Sequence, residues 1–309
     1  MNFVSYITSI LERALVAGTP LLLATVGEIL TERSGIMNLG LEGLMAIGAV
    51  TSLGVILGTE NLFLGVLTAI AVGGLMSTIH AFISINLRGR QILSGLAISM
   101  LGLGLSGLLG RRYVGIPLPV YFEPIKIPYL SRIPILGEAV FTQNAFFYIS
   151  VALTIIIWYI LFRTKWGITI RSVGENPLAA DALGVNVTKV RYICTIIGGC
   201  LAGLAGAQLS LGYIHLWIEG MVGGRGWIAI ALTIFSTWNP LRAFLGSYLF
   251  GGVYALQFQL QGIGISPNIL LMLPYISTLV ALLVTSGATS RKRIGAPSSL
   301  GEPFIKGEK

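Results

Sequence analysis

Apolar residues run through this chain in long stretches that charged residues interrupt only occasionally. Five uncharged stretches stand out, with 27 residues at 61–87, 20 at 91–110, 24 at 139–162, 27 at 192–218 and 48 at 243–290. Because a helix needs about 20 consecutive apolar residues to cross a bilayer, these stretches predict membrane-spanning helices. The pattern indicates an all-α, polytopic helical membrane protein with a single transmembrane domain over residues 1–309.

The apolar pattern predicts nine spans, within a range of about eight to ten. The predicted spans are 14–30, 36–57, 62–87, 91–110, 144–162, 192–213, 226–238, 243–260 and 268–286. The longest uncharged stretch divides between Gln257 and Asn268, where polar and turn-forming residues cluster. A broken or re-entrant segment around 28–43 would change the number of crossings and the side on which the N-terminus lies.

Composition agrees with this class, since only 10% of the residues are charged and 54% are hydrophobic. The basic residues also predict the orientation, because Lys and Arg concentrate in cytoplasmic loops. One set of alternate loops contains Arg33, Arg88, Arg90, Arg163, Lys165, Arg171, Lys189, Arg191, Arg242, Arg291, Lys292, Arg293, Lys306 and Lys309. The other contains Arg13, Arg111, Arg112, Lys126, Arg132 and Arg225. This bias predicts a cytoplasmic loop at 163–191, a cytoplasmic tail at 287–309 and an outer N-terminus. It explains the net charge of +8 without nucleic acid.

The segment 28–48 contains polar residues that a simple membrane bundle does not need. Glu42 lies about seven residues into the second predicted span, and Asn38 would share its helical face. A carboxylate at such a position usually faces a partner or a cavity, because burying it in hydrocarbon is costly. Two alternatives stay open: the two residues cap a broken helix or bind neighbouring backbone, or they line a polar translocation pathway.

The predicted cytoplasmic loop 163–191 contains a short helix with complete start and stop signals. Asn176 is a predicted N-cap, Pro177 occupies the first helical position, and Gly184 follows the end. A helix this short is unstable alone in water, so it needs a docking surface. It either docks on the membrane face of this chain or inserts into the groove of a cytoplasmic partner. The segment consists of Glu175, Asn176, Pro177, Leu178, Ala179, Ala180, Asp181, Ala182, Leu183 and Gly184.

The outer segment 111–143 contains five prolines and several aromatic residues, which disfavour one long helix. We expect it to pack on the outer face as a lid, with contact to an external delivery protein as the alternative.

Glycine is abundant, with 40 residues, and small residues four apart let membrane helices approach closely. Gly199 with Gly203, and Gly220 with Gly224, fit that use. Cys194 and Cys200 lie on different helical faces and are expected to pack rather than to bind metal. The chain contains no Gly-Lys dipeptide and therefore no phosphate-binding loop, so any ATP must be bound by a separate subunit.

Three motifs resemble a known family. The stretch from Glu32 to Gly43, which reads ERSGIMNLGLEG, resembles the signature of ABC importer permeases for branched-chain amino acids, ribose and nucleosides. The stretch from Val173 to Gly184 resembles their cytoplasmic coupling loop. The stretch from Gly223 to Ala231 and the sequence WNPL from Trp238 resemble their later hairpin. The similarity is closest to the nucleoside or simple-sugar branch, which works with a binding lipoprotein of the basic membrane protein type.

The resemblance implies a permease fold of the type II ABC importer kind in the plasma membrane, with no ATPase site and no cofactor of its own. Its implied partners are an ABC ATPase, a second permease subunit as heterodimer or homodimer, and a substrate-binding lipoprotein. The segment from Glu175 to Gly184 would be the coupling helix, and Asn38 and Glu42 would lie at or near the pathway. Nucleosides are the expected substrate, with simple sugars as the alternative. A stand-alone secondary transporter or channel is the alternative from another class.

Overall fold

The computed structural model describes residues 3–133, 136–261, 266–285 and 295–305, and within these ranges the chain folds into thirteen α-helices. Two of them continue into π-helical turns, α3 at Phe82–Asn86 and α9 at Leu209–Ile214. The helices are α1 Phe3–Arg33, α2 Leu41–Thr59, α3 Leu62–Ala81, α4 Gln91–Gly110, α5 Leu136–Phe141, α6 Ala145–Arg163, α7 Lys165–Glu175, α8 Pro177–Ala182, α9 Val187–Gln208, α10 Arg225–Phe235, α11 Pro240–Leu260, α12 Pro267–Leu271 and α13 Leu273–Thr285.

Asparagine side chains begin many of these helices. Asn61, Asn144 and Asn186 precede α3, α6 and α9, and each accepts a hydrogen bond from the backbone N–H three residues later, at 2.9–3.3 Å. Asn239 caps α11 by accepting the backbone N–H of Leu241, two residues later, at 3.0 Å, and Pro240 occupies the first helical position. These local signals place the helix starts, since a capped N-terminus satisfies a backbone donor that would otherwise lack a partner.

Six helices are long and apolar enough to cross a membrane, which confirms six of the predicted spans. They are Ile7–Arg33, Leu41–Thr59, Leu62–Asn86, Gln91–Tyr113, Ala145–Arg163 and Val187–Ile214. The second begins at Leu41 and not at 36, because residues 34–40 leave the helical conformation and Gly35 has a φ of +92°. The predicted break in 28–43 therefore falls at 34–40.

The seventh predicted span, 226–238, which is also the shortest, corresponds to a helix too short to cross the membrane alone. The helix there, α10, has 11 residues and is about 16 Å long, roughly half the hydrocarbon thickness. The chain reaches α10 through the non-helical stretch 215–224, so the passage combines irregular backbone with half a helix. The eighth prediction corresponds to α11, and the ninth is divided at Met272 into α12 and α13.

The central helices of the bundle are α1, α2 and α9. In their most apolar windows 72–89% of residues are buried, against 33% in α3, α4 and α6, which form the outer layer. Glycine permits the close packing between these layers: a Cβ at Gly203 would overlap the backbone of Ala69 on α3, and one at Gly199 would overlap Ser77. The prediction of close approach is confirmed for this pair. It is wrong for Gly220 and Gly224, which lie in turns with φ of +71° and +80°.

The helix ends gather into two groups that agree with the predicted loop sets. At one end, Arg33 and Arg191 both contact the C-terminal tail. At the other end, Leu118 of the outer segment donates to His215, and Glu12 near the N-terminus lines a cavity shared with Tyr121. One assignment is wrong: Arg225 does not lie in an outer loop but is buried at the start of α10.

Candidate functional site

The break between α1 and α2 is held by buried side chains from three helices. Glu28 on α1 accepts the backbone N–H of Asn38 at 2.9 Å, and Gln91 on α4 accepts that of Met37 at 2.7 Å. The imidazole of His80 on α3 bonds to the carbonyl oxygen of Met37 at 3.1 Å. Irregular backbone at membrane depth requires such partners, because hydrocarbon offers none. These side chains therefore stabilise the non-helical backbone between α1 and α2.

Glu42 lies in the first turn of α2 and caps the N-terminus of α10, the short helix that follows the non-helical stretch 215–224. Its two carboxylate oxygens accept the backbone N–H groups of Gly224 and Gly226, each at 2.7 Å, and only 6% of the residue is exposed. These donors begin α10, where the helix dipole also favours negative charge. Glu42 therefore binds neighbouring backbone, which is one of the two alternatives that the sequence leaves open. The other alternative, that it lines the translocation pathway, remains a prediction.

Asn38 does not share a helical face with Glu42, because it precedes α2 in the non-helical break. Its side-chain oxygen accepts the N–H of Gly40 at 2.9 Å, whereas its buried amide nitrogen has no partner. A role for Asn38 in the pathway likewise remains a prediction.

The junction between Glu42 and α10 lies about halfway across the bundle. Gly43, next to Glu42, packs against α4 so closely that a Cβ there would lie 2.6 Å from the carbonyl oxygen of Ile98, and Gly102 packs against the backbone of Gly43 in turn. Gly102 is the twelfth residue of α4, about 16 Å from the start of that helix. The half-helix α10 therefore runs from the middle of the membrane to the end where Trp238 lies.

A buried arginine and two tyrosines adjoin this junction. Arg225 is 7% exposed and donates to the carbonyl oxygens of Met221 and Val222 at 3.1 and 2.9 Å. Its guanidinium carbon lies 4.5 Å from the ring centre of Tyr254 and 5.7 Å from that of Tyr213, so the charge is stabilised by aromatic faces and carbonyl groups. The sequence places Arg225 among the outer loop charges and in the Gly223–Ala231 motif, and neither assignment predicts this buried contact.

The segments that carry the resemblance meet at a second point. The indole N–H of Trp238 donates to the carboxylate of Glu32, and Arg33 donates to the carbonyl oxygen of Trp238 at 3.2 Å. The first motif, from Glu32 to Gly43, thus holds the later hairpin at both ends of α10. These contacts join residues about 200 positions apart, and the sequence alone offers no signal that pairs them.

The predicted coupling helix has the expected local structure. Asn176 accepts the N–H of Ala179 at 2.9 Å, Pro177 begins α8, and Gly184 has a φ of +84° beyond its end. Ala180 is buried and anchors the helix, whereas the apolar side chain of Leu183 is 86% exposed. The exposed positions of the segment are Glu175, Asn176, Leu178, Ala179, Ala182, Leu183 and Gly184. Its contact with an ATPase remains a prediction.

The C-terminal tail binds next to α8, which the sequence reading did not foresee. Arg191 donates to the carbonyl oxygen of Glu302 and to the hydroxyl of Ser299, both at 3.2 Å, and also to the carbonyl oxygen of Ser34. Ser298 donates to Glu175 at the end of α7. The tail therefore connects the coupling segment to the break at 34–40. The basic cluster Arg291 to Arg293 lies outside the described residues.

The outer segment packs on the bundle, as the lid prediction expects. Its backbone pairs with Leu216 and Trp217, and Asn144 after it donates to the carbonyl oxygen of Gly212 at 3.0 Å. Two further backbone bonds, from Ile125 to Gln143 and from Ile127 to Phe141, close the segment on itself. Contact with a delivery protein remains a prediction.

Comparison with known proteins agrees with this architecture. Residues 10–285 match a family described as the permease component of the branched-chain amino acid transport system. The guanosine ABC transporter permease protein NupQ of Bacillus subtilis is 40% identical over the full length of both chains. The nucleoside ABC transporter permease protein NupC of Lactococcus lactis subsp. cremoris is 35% identical over 99% of both. The putative glucose ABC transporter permease protein TsgC13 of Haloferax volcanii is 38% identical over 97% of this chain and 98% of the relative.

No solved structure matches the chain significantly. The family match covers most of the sequence and contains all three motifs, and three relatives align along nearly the whole chain. This chain therefore belongs to the permease family of the branched-chain amino acid transport system, as a multi-pass protein of the plasma membrane.

Proposed function

We propose that this chain is the transmembrane subunit of an ATP-binding cassette importer and that it transports nucleosides. Two relatives that align along the full chain are named as guanosine and nucleoside permeases, and a third as a putative glucose permease. Simple sugars are therefore the alternative substrate. Ribose hydroxyls and sugar hydroxyls present the same donors and acceptors, so hydrogen-bond chemistry alone does not separate the two classes.

The exposed short helix α8 is the observation that carries the importer proposal. A helix of six residues, with an exposed Leu178 and followed by an exposed Leu183, is not stable alone. Here it is capped by Asn176 and anchored at Ala180, and the tail binds the preceding Glu175. Such a helix can transmit the movement of a partner to the flanking helix α7 and to the membrane helix α9. The partner we propose is an ATPase that supplies the nucleotide chemistry.

Substitution of α8 tests this partner. Leu178→Asp combined with Ala182→Asp should abolish co-purification of the ATPase with a tagged permease, because two charges replace the exposed apolar contact. Thr59→Asp adds a charge to an exposed turn at the other end of the bundle and serves as the control for membrane insertion. Unchanged recovery of the ATPase with the double variant would remove α8 from the interface.

Uptake measurements test the substrate. Cells or vesicles that contain the assembled transporter should accumulate labelled guanosine in an ATP-dependent manner, and other nucleosides should compete while excess ribose and glucose should not. Competition by glucose would favour the sugar alternative. Transport by the purified chain alone, without ATP, would refute the importer proposal in favour of a stand-alone transporter.

A further inference from the structure

The stretch 215–224 is irregular and partly exposed although it lies between membrane helices. Left-handed backbone conformations occur at His215, Gly220, Gly223 and Gly224, with φ between +57° and +80°. Ile218, Glu219, Gly220 and Gly223 are exposed on the surface of the chain. The outer lid covers only the beginning of the stretch, through the backbone pairing of Leu216 and Trp217.

Contacts with α4 indicate how deep in the membrane the stretch 215–224 lies. A Cβ at Gly107 would lie 3.5 Å from a carboxylate oxygen of Glu219, so Glu219 lies at the level of Gly107, below the outer end of α4. Gly224 lies at the level of Glu42, which the neighbouring Gly43 and Gly102 place near the middle of α4. The stretch therefore descends from the outer part of the membrane to its centre.

Exposed irregular backbone at this depth is incompatible with a lipid-facing surface. Hydrocarbon cannot satisfy free N–H and C=O groups, so non-helical backbone at membrane depth is found where protein covers it or where it lines water. An exposed carboxylate such as Glu219 adds to the cost. By contrast, exposed positions on the helices, such as Met100 on α4 and Leu283 on α13 at 73% and 74% exposure, are apolar and suit a lipid-facing surface.

Two aromatic side chains adjoin the exposed backbone. Trp227 lies one helical turn beyond Gly223 and is 40% exposed, and Tyr275 at the start of α13 is 45% exposed. The hydroxyl of Tyr275 donates to the carbonyl oxygen of Gly223 at 3.0 Å, which fixes the ring beside the turn. An exposed carboxylate, exposed non-helical backbone and two exposed aromatic side chains thus occur in or beside this stretch.

We infer that the stretch 218–224, together with Trp227 and Tyr275, forms one wall of the substrate pathway and contacts the nucleoside directly. The aromatic faces suit the base, which stacks on them, and the Glu219 carboxylate accepts hydrogen bonds from the ribose hydroxyls. Glu42 and Arg225 lie behind this wall and hold it in place. The inference rests on the proposed function, since it names the surface and the chemistry by which that function would act.

Cysteine labelling of the assembled transporter in membranes tests the inference. Cys194→Ala and Cys200→Ala remove the native thiols of this chain, and Glu219→Cys and Trp227→Cys are then introduced one at a time. Modification of this chain by a charged, membrane-impermeant methanethiosulfonate is followed by mass spectrometry, with Met100→Cys and Leu283→Cys as matched lipid-facing controls. A thiol in apolar surroundings stays protonated, so the two test positions should react at least about tenfold faster than the controls. Excess guanosine should slow their reaction and leave the controls unchanged.

Three outcomes would overturn the inference. Reaction at 219 and 227 as slow as at the controls would mean that the wall does not meet water. Fast reaction without protection by guanosine would mean that it meets water but not substrate. Formation of a disulfide between two permease subunits at these positions would make the surface a subunit interface. Guanosine uptake by the background variant is measured in parallel, so failure of uptake refutes the proposed function and failure of labelling alone refutes only the wall.

Two substitutions of Trp227 distinguish loss of base stacking from misfolding. Trp227→Phe keeps an aromatic face and should retain transport with a KM close to that of the parent. Trp227→Leu keeps the apolar character but not the ring, and should raise the KM for guanosine severalfold while the amount of assembled transporter stays constant. Equal KM values for the two variants would remove stacking from the inference.

Discussion

Removal of the Glu42 carboxylate should destabilise the bundle at the start of α10. Glu42→Ala leaves the N–H groups of Gly224 and Gly226 without their acceptors, in a site where Glu42 is 6% exposed. A buried donor without a partner costs about 1–3 kcal/mol, so two donors cost about 2–6 kcal/mol. Loss of the charge at the helix N-terminus adds up to about 2 kcal/mol. Glu42→Gln keeps one acceptor oxygen and should lose roughly half as much.

Equilibrium unfolding in mixed detergent and SDS micelles measures this loss. Glu12→Ala is the matched control, because it deletes the same group from α1 at an exposed position. The order of stability should be Glu12→Ala, then Glu42→Gln, then Glu42→Ala. If Glu42→Ala unfolded at the same SDS fraction as the control, water would be satisfying both N–H groups. Glu42 would then lie in an aqueous cavity, and the capping argument would be refuted.

Further substitutions test the tail and the helix packing. Arg191→Gln breaks the bonds to Ser299 and Glu302 and should release the C-terminal tail, which faster proteolysis of a C-terminal tag would reveal. Lys189 is exposed, so Lys189→Gln is the control and should leave the tail protected. Equal rates of proteolysis in the two variants would mean that Arg191 does not hold the tail. Gly203→Val should push α3 and α9 apart and lower the free energy of unfolding by about 1–3 kcal/mol or more, as overpacking does in other protein cores. Gly104→Val has open space around it, so equal unfolding of the two variants would refute the packing argument.

Local signals explain what could be predicted. The start of α8 depends on Asn176 and Pro177, whose effects act within one turn, and the structure shows the predicted cap. A broken or re-entrant segment around 28–43 is one alternative that the sequence leaves open, and the structure shows the break at 34–40. Hydropathy measures composition and not conformation, so it does not show how much of the seventh span is helical. The stretch after Gly226 is apolar, but its helix ends at Phe235, and residues 215–224 complete the crossing without helix.

Long-range contacts explain what could not be predicted. Glu42 was recognised as a costly buried charge, and its acceptor role was one of two open alternatives. The donors that meet it belong to residues 182 and 184 positions later. The charge bias predicts only that Arg191 is one of fourteen cytoplasmic charges, whereas its binding of the tail depends on Ser299 and Glu302, which are more than 100 positions away in the sequence.

The sequence by itself determined that the chain enters the membrane repeatedly, at which helix ends its basic residues gather, and where a short capped helix lies in the loop 163–191. These properties follow from apolar run length, charge bias and helix punctuation, all of which are local. Only the tertiary structure decided that one crossing is half a helix, that Glu42 caps it at mid-depth, and that Ile218, Glu219, Gly220 and Gly223 remain exposed. The physical reason is that backbone groups in hydrocarbon must find partners, and the fold alone brings together partners that are about 180 residues apart.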